Sequence, residues 1–147
     1  MLAKMPLRYI IAGDEIALVV CVGATNVINF MDGVNGITAG YSLAVLLPLM
    51  LLNRALGFVD PSFLVVAIIG VLVFCLFNFR PKGKAKCFAG DVGSISIAFI
   101  MLFAIGRLVV MTQDVTYLIF LLVSFVVGSA YFYREFDKFL QVKYKDK

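Results

Sequence analysis

Five apolar stretches, each close to the length of one membrane crossing, leave this chain few folds to choose from. They run approximately over residues 16–31, 37–53, 62–79, 94–111 and 115–133. A bilayer crossing by a helix takes roughly 17–25 predominantly apolar residues. The first stretch is short by that measure, but its polar C-terminal end can face protein rather than lipid. No ten-residue segments alternate as barrel strands do, and backbone polar groups inside hydrocarbon must be satisfied within the segment. Of 147 residues, 63% are hydrophobic and only 15% charged, and the mean hydropathy is +1.03. A soluble domain carries about a quarter charged residues. The reading is an all-α, polytopic helical membrane protein of about five spans, with residues 1–15 as an interfacial lead-in, 16–133 as one transmembrane domain and 134–147 as a basic tail.

Basic residues set the expected orientation. Arg80, Lys82, Lys84 and Lys86 fill one loop, and Arg134, Lys138, Lys143, Lys145 and Lys147 fill the tail. Lys4, Arg8, Arg54 and Arg107 are all that the other side holds. The positive-inside rule then makes the lysine loop and the C-terminus cytoplasmic and the N-terminus external. The net charge of +4 is met by anionic headgroups and needs no nucleic acid. Asp14 and Glu15 interrupt the N-terminal apolar segment, against a cleaved signal peptide. Cys21, Cys75 and Cys87 share no CxxC spacing, so the first two read as small packing residues of the spans and Cys87 has nothing else in favour of a reactive role. Arg107 sits near an outer span end, where it can snorkel.

Two polar strings interrupt this chain. The first is Asn26-Val-Ile-Asn29-Phe-Met-Asp32-Gly33-Val-Asn35-Gly36 and the second is Ala89-Gly90-Asp91-Val-Gly93-Ser94. The two apolar stretches between them form an out-and-back hairpin, which returns the second string to the face where the first one lies. Amides and carboxylates are costly inside hydrocarbon, so their clustering at a membrane edge points to an ion or a polar substrate. Asn26, Asn29 and Asp32 recur every three residues and so share a helix flank. Gly33 and Gly36 allow a turn and a close backbone approach. The bland alternative is a helix C-terminus with polar caps, although capping needs one such residue and not four.

In the second string Asp91 and Ser94 could simply cap the helix that follows. Alternatively, Gly90 and Gly93 leave the Asp91 carboxylate open to solvent and phosphate. Magnesium is held by one or two protein oxygens, completed by substrate phosphates and water. A carboxylate and an amide arriving from two helix ends suit a Mg²⁺–diphosphate complex. Lys82, Lys84 and Lys86 could add charge for a nucleotide diphosphate, though membrane topology explains them equally.

The segments NVINFMDGVNGITAG and KAKCFAGDVGS closely resemble the paired cytoplasmic motifs of the polyprenyl-phosphate sugar-1-phosphate transferases (glycosyltransferase family 4). This superfamily includes the phospho-N-acetylmuramoyl-pentapeptide transferases and the enzymes that move N-acetylglucosamine-1-phosphate onto a polyprenyl phosphate. The wording of the motifs looks most like the bacterial UDP-N-acetylglucosamine branch. The resemblance runs from about residue 20 to 111 and keeps the order of the motifs and the hairpin between them.

The resemblance implies transfer of N-acetylhexosamine-1-phosphate from a UDP-sugar to a polyprenyl phosphate with Mg²⁺ (Mn²⁺ as an alternative ion), in peptidoglycan or other cell-envelope polysaccharide synthesis. It implies Asn29 and Asp91 as metal ligands and Asp32 and Asp91 as the catalytic pair. Asn26, Asn35, Gly33, Gly36, Gly90, Gly93, Ser94 and Lys86 would line the substrate. It further implies a bacterial inner membrane with the active face cytoplasmic. Members have about ten helices, an early acidic motif and a later histidine-bearing loop, and none of those flanks has a counterpart here. The chain is therefore expected to match the middle of such an enzyme, with a homodimer or a separately encoded N-terminal half as further partners, and to release little UMP by itself. The alternative is a non-catalytic relative or split subunit that keeps a nucleotide-sugar and Mg²⁺ surface.

Overall fold

Two of the apolar runs end at a residue with a left-handed backbone, Gly57 after the second and Gln113 after the fourth. The computed structural model describes residues 7–33, 35–80, 84–114 and 116–144. Five helices follow in order: α1 (Leu7–Met31), α2 (Ile37–Leu56), α3 (Pro61–Asn78), α4 (Gly90–Thr112) and α5 (Thr116–Tyr144). Gly57 closes α2 at φ 63°, its N–H donating to the Asn53 carbonyl. Gln113 does the same for α4 at φ 53°. Asp60 opens α3, its carboxylate accepting the Ser62 N–H at 2.8 Å, with Pro61 in the first turn. That hydrogen bond holds the exposed Asp60 carboxyl below the usual carboxylate range. Pro fits there because the first-turn N–H has no helical partner to lose.

All five helices are long and apolar enough to cross a membrane, in agreement with the five runs expected from the sequence. The 18 residues of α3 rise about 27 Å, against a hydrocarbon core of about 30 Å. Four of the helices reach further than those runs, α2 and α4 by a turn or so and α1 and α5 by more. The first begins at Leu7 and passes through Asp14 and Glu15, so the expected lead-in is continuous with the helix from that point. The last continues to Tyr144 through most of the basic tail. Side-chain pairs one turn apart support that extension: Lys138 donates to Glu135 at 2.9 Å and Gln141 to Asp137 at 2.9 Å. Residues 1–6, Lys82 and residues 145–147 lie outside the described residues, as does Val115, the expected first residue of the fifth run.

The second helix is the axis of the bundle. It packs against α3 and α5 and more lightly against α4, while α1 lies along α4. Its inward residues Tyr41, Val45, Leu46 and Leu49 join Leu64, Ala67, Ile68 and Val71 of α3 and Met101, Ala104 and Leu108 of α4 in one core. The backbones of α3 and α4 barely approach each other; they meet through the edge-on rings of Phe63 and Phe103, centroids 5.4 Å apart. Small residues let α2 and α5 close up in antiparallel fashion. Gly40 faces Phe132, and a Cβ on Gly128 would sit 2.7 Å from the Ala44 Cβ. Close backbone approach through small residues is how apolar helices gain packing where lipid offers no hydrophobic drive. At the far end, Asn53 braces the α2–α3 turn by bonding both the N–H and the C=O of Val59 at 2.9 Å. The Arg107 Nε donates to the Phe58 carbonyl at 3.3 Å.

The α2–α5 seam gives a direct test. Gly128→Ala forces its new methyl group against Ala44 and should lower stability by about 1–3 kcal/mol. Gly106→Ala, where a Cβ meets nothing within 4 Å, should be neutral or slightly stabilising, since Ala is the better helix former. Thermal unfolding of the two variants in detergent should separate them; equal midpoints would contradict the close seam.

Candidate functional site

The C-terminus of α1, the start of α2, the C-terminus of α3 and the start of α4 all come to one end of the bundle. Short connections between antiparallel helices produce this, and the hydrogen bonds across it fix the register. Ser94, fully buried in the first turn of α4, donates through its hydroxyl to Asn29 Oδ1 at 3.2 Å. The same hydroxyl lies 2.9 Å from the Gly90 carbonyl and 3.3 Å from the Asp91 carbonyl, so its single proton is shared among these acceptors and Asn29. One side-chain oxygen thus joins the amide of the first string to the backbone of the second. The Asp91 carboxylate, one helical turn before Ser94, is exposed to solvent.

The alternative of Asp91 and Ser94 as plain helix caps is not what the chain adopts. Ala89 occupies the cap position of α4, without a side-chain cap hydrogen bond, and Ser94 bonds back into its own first turn. Asp91 in that first turn is well placed electrostatically, since a negative charge is favoured at a helix N-terminus. Gly90 takes φ 59°, a left-handed conformation that admits the sharp entry into α4. Gly93 lies against the Ala89 methyl, where a Cβ would come within 3.1 Å.

The first string forms the turn between α1 and α2. The Asp32 N–H donates to the Asn29 carbonyl at 3.1 Å, and its carboxylate accepts the hydroxyl of Thr38 from the first turn of α2. Gly33 is exposed in that turn. Gly36 opens α2 at φ 84° without a side-chain cap from its own string. Its N–H instead donates to Asn78 Oδ1 at 2.6 Å, and Asn35 Nδ2 donates to the Arg80 carbonyl at 2.8 Å. The Asn78 amide donates in turn to the Cys87 carbonyl at 2.9 Å. The Lys86 N–H reaches the Phe77 carbonyl at 2.9 Å.

Asn29, Asp32, Gly36, Gly90, Asp91 and Ser94 are therefore gathered into one network or its immediate rim, with Asn35 tied to the adjoining loop. Asn26 stands apart. It is exposed one turn earlier on α1, and its Nδ2 bonds the Val22 carbonyl of its own helix at 2.9 Å. The Lys86 side chain is exposed on the loop before α4. Two participants escaped the sequence reading. Thr38 looked like an ordinary helix-start residue, and Asn78 looked like the tail of an apolar span. The signal available for Asn78 was a lone amide closing a stretch otherwise free of polar groups.

A groove of about 390 Å³ opens at the same end between α2, α3 and α4. Thr38, Ser42, Phe88, Ala89, Gly93 and Ser96 lie along it with Ala67, Val71, Phe74, Ile97 and Ile100. It follows from the poor approach of α3 to α4, and it grades from hydroxyls to hydrocarbon.

The donor set around Asn29 and Asp91 consists of hard oxygens. Among the described residues no three His, Cys, Asp or Glu side chains cluster as a metal site. A hard cation here would draw on one carboxylate, amide oxygen, water and ligand oxygens, as Mg²⁺ does. The Asn29 carbonyl oxygen spends one of its two acceptor positions on Ser94, leaving one for an ion.

Comparison with known proteins gives the family of the chain. The family model described as glycosyl transferase family 4 matches residues 2–108. Curated relatives include the phospho-N-acetylmuramoyl-pentapeptide-transferase of Moorella thermoacetica, 34% identical over 128 residues, covering 86% of this chain and 36% of the relative. The enzyme of the same name from Thermotoga maritima is 33% identical over 103 residues, covering 70% of this chain and 32% of the relative. That from Streptococcus equi subsp. zooepidemicus is 34% identical over 124 residues, covering 84% and 33%. The chain thus spans about a third of the length of these relatives. No solved structure matches it. The motifs read closest to an N-acetylglucosamine branch, whereas these relatives carry the muramoyl-pentapeptide name; both lie within the superfamily. The two motifs, the hairpin between them and the match over most of its length show that this chain belongs to glycosyl transferase family 4.

Proposed function

We propose that this chain carries the cation and nucleotide-sugar part of a membrane transferase that moves an N-acetylhexosamine-1-phosphate from a UDP-sugar to a polyprenyl phosphate. The observation that carries the reading is the Ser94–Asn29 hydrogen bond, which joins the two motifs at one end of an apolar bundle. The names of the relatives, which specify transfer of a phospho-N-acetylmuramoyl-pentapeptide, support the same class of reaction.

Asn29 and Asp91 would hold a Mg²⁺ ion (or Mn²⁺), whose chemistry is to neutralise the oxygens of a diphosphate during substitution at phosphorus. The remaining roles belong to the chain itself. Ser94 orients the Asn29 carboxamide through the hydrogen bond to its side-chain oxygen. Asp32, anchored by Thr38, sits on the nucleotide-sugar side with Asn35, and the glycine-bordered turns let phosphate oxygens approach backbone N–H groups. Lys86 adds positive charge at the rim. The groove between α2, α3 and α4 would accept the apolar chain of a polyprenyl phosphate with its head toward Asp91. Catalysis of this kind is positioning and charge stabilisation, with little covalent work for the protein.

Binding and turnover separate experimentally. Titration calorimetry of the purified chain in detergent should detect Mg²⁺-dependent binding of UDP. Asn29→Ala and Asp91→Ala should each weaken it by roughly 10–100-fold or more, as loss of groups around a bound metal does. Binding that is indifferent to both substitutions would contradict the assignment.

Turnover demands more of the clamp. With UDP-N-acetylglucosamine or UDP-N-acetylmuramoyl-pentapeptide, Mg²⁺ and undecaprenyl phosphate, this chain alone should release little or no UMP. Effective-molarity gains vanish when part of a positioning site is absent. Robust release abolished by Asp91→Ala would show instead that these five helices suffice.

Orientation in a bacterial inner membrane is open to labelling. In a background without native cysteines, Asp60→Cys should react with an impermeant maleimide on intact cells, and Lys84→Cys only after permeabilisation. Labelling of position 84 from outside would invert the topology and remove the site from the cytoplasm.

A further inference from the structure

The side chain of the last residue of α3 hydrogen-bonds to both polar loops, one half of its amide to each. Asn78 is 4% exposed. Its Oδ1 accepts the Gly36 N–H at 2.6 Å across 42 residues of sequence, and its Nδ2 donates to the Cys87 carbonyl at 2.9 Å, nine residues on. The partners fix the orientation of the amide, since an N–H must meet the oxygen and a C=O must meet the nitrogen. Two further bonds fasten the same segments: Asn35 Nδ2 to the Arg80 carbonyl, and the Lys86 N–H to the Phe77 carbonyl. Asn53, at the opposite end, spends both halves of its amide on a single residue, Val59, within its own turn. Asn78 instead divides its halves between two segments far apart in sequence, which the Asn35–Arg80 bond also ties.

We propose that Asn78 is a positioning residue that locks the two polar loops into one register, so that the start of α2 and the approach to Asp91 move as a unit. The Gly36 N–H is one of the donors at a helix start that have no intrahelical acceptor, and Asn78 Oδ1 supplies that acceptor. The Cys87 carbonyl lies three residues before α4 begins. Releasing either arm frees one motif to shift against the other without breaking a helix. No side chain of similar size replaces the amide: Asp offers only acceptors and Leu offers neither partner. The consequence for ligand binding rests on reading the loops as one cation and nucleotide-sugar site, whereas the brace itself does not.

Amide hydrogen exchange on the whole chain in detergent tests it, with the Gly36 and Lys86 amides as reporters for the two loops. Asn78→Leu should speed exchange at both by roughly tenfold or more, the scale of one lost hydrogen bond. Asn78→Asp keeps an acceptor for Gly36 but turns an oxygen toward the Cys87 carbonyl. It should speed Lys86 alone and leave Gly36 protected. Exchange in the interiors of α2 and α3 should stay as in the parent chain. Unchanged reporters in the Leu variant, or equal acceleration of both reporters in the Asp variant, would overturn the brace; so would acceleration spreading through the helix interiors. Mg²⁺-dependent UDP binding should also weaken roughly tenfold in the Asp variant. Parent-like affinity there would remove the positioning role. A parent chain that binds no UDP but shows the expected exchange pattern would refute the functional reading and leave the brace standing.

Discussion

Satisfying polar groups at the edge of an apolar bundle is the constraint on which everything at this end of the molecule depends. A buried amide or hydroxyl without a partner costs about 1–3 kcal/mol, and the bundle offers few partners other than its own helix ends. Buried Ser94 and Asn78, and partly buried Asn29 and Asn35, resolve this by bonding one another or the carbonyls and N–H groups of the loops. The same bonds that avoid the cost set the relative positions of the two motifs. Asp91 is left outside the network, with its carboxylate exposed at the first turn of α4.

Helix packing serves this end of the molecule indirectly. The central position of α2, closed against α5 through Gly40 and Gly128, brings its first turn beside the end of α3. The looser pairing of α3 with α4 leaves a groove instead of a seam. The proposed site, which would admit both a charged diphosphate and a long hydrocarbon, would need such a junction between polar rim and apolar cleft. At the opposite end Asn53 holds its own turn and Arg107 reaches Phe58 across 49 residues, and no comparable cluster forms there among the described residues.

Much of this was legible in the residues. Apolar runs of spanning length gave five helices, because in hydrocarbon the backbone has little choice. The hairpin between the strings placed both motifs at one end, since consecutive helices joined by short turns run antiparallel. Helix ends were harder: α5 continues to Tyr144 because ion and amide pairs one turn apart carry it past the apolar segment. Asn26 fitted the three-residue spacing of Asn29 and Asp32, yet it bonds its own helix. Spacing gives a shared flank but not which residue along it meets a neighbour. Asn78 and Thr38 were invisible for a related reason. Their roles depend on partners 42 and six residues away, and even the lone amide that closes the third apolar run does not say which groups it meets.

The central claim is that the two motifs make one site for a hard cation and a diphosphate. Anomalous diffraction from crystals grown with Mn²⁺ and UDP tests it most directly. A single metal peak bounded by the Asn29 carboxamide and the Asp91 carboxylate, with phosphate oxygens completing its shell, is the expected result. A metal bound elsewhere, or the two side chains more than about 12 Å apart when Mg–O bonds are only about 2.0–2.1 Å, would contradict it.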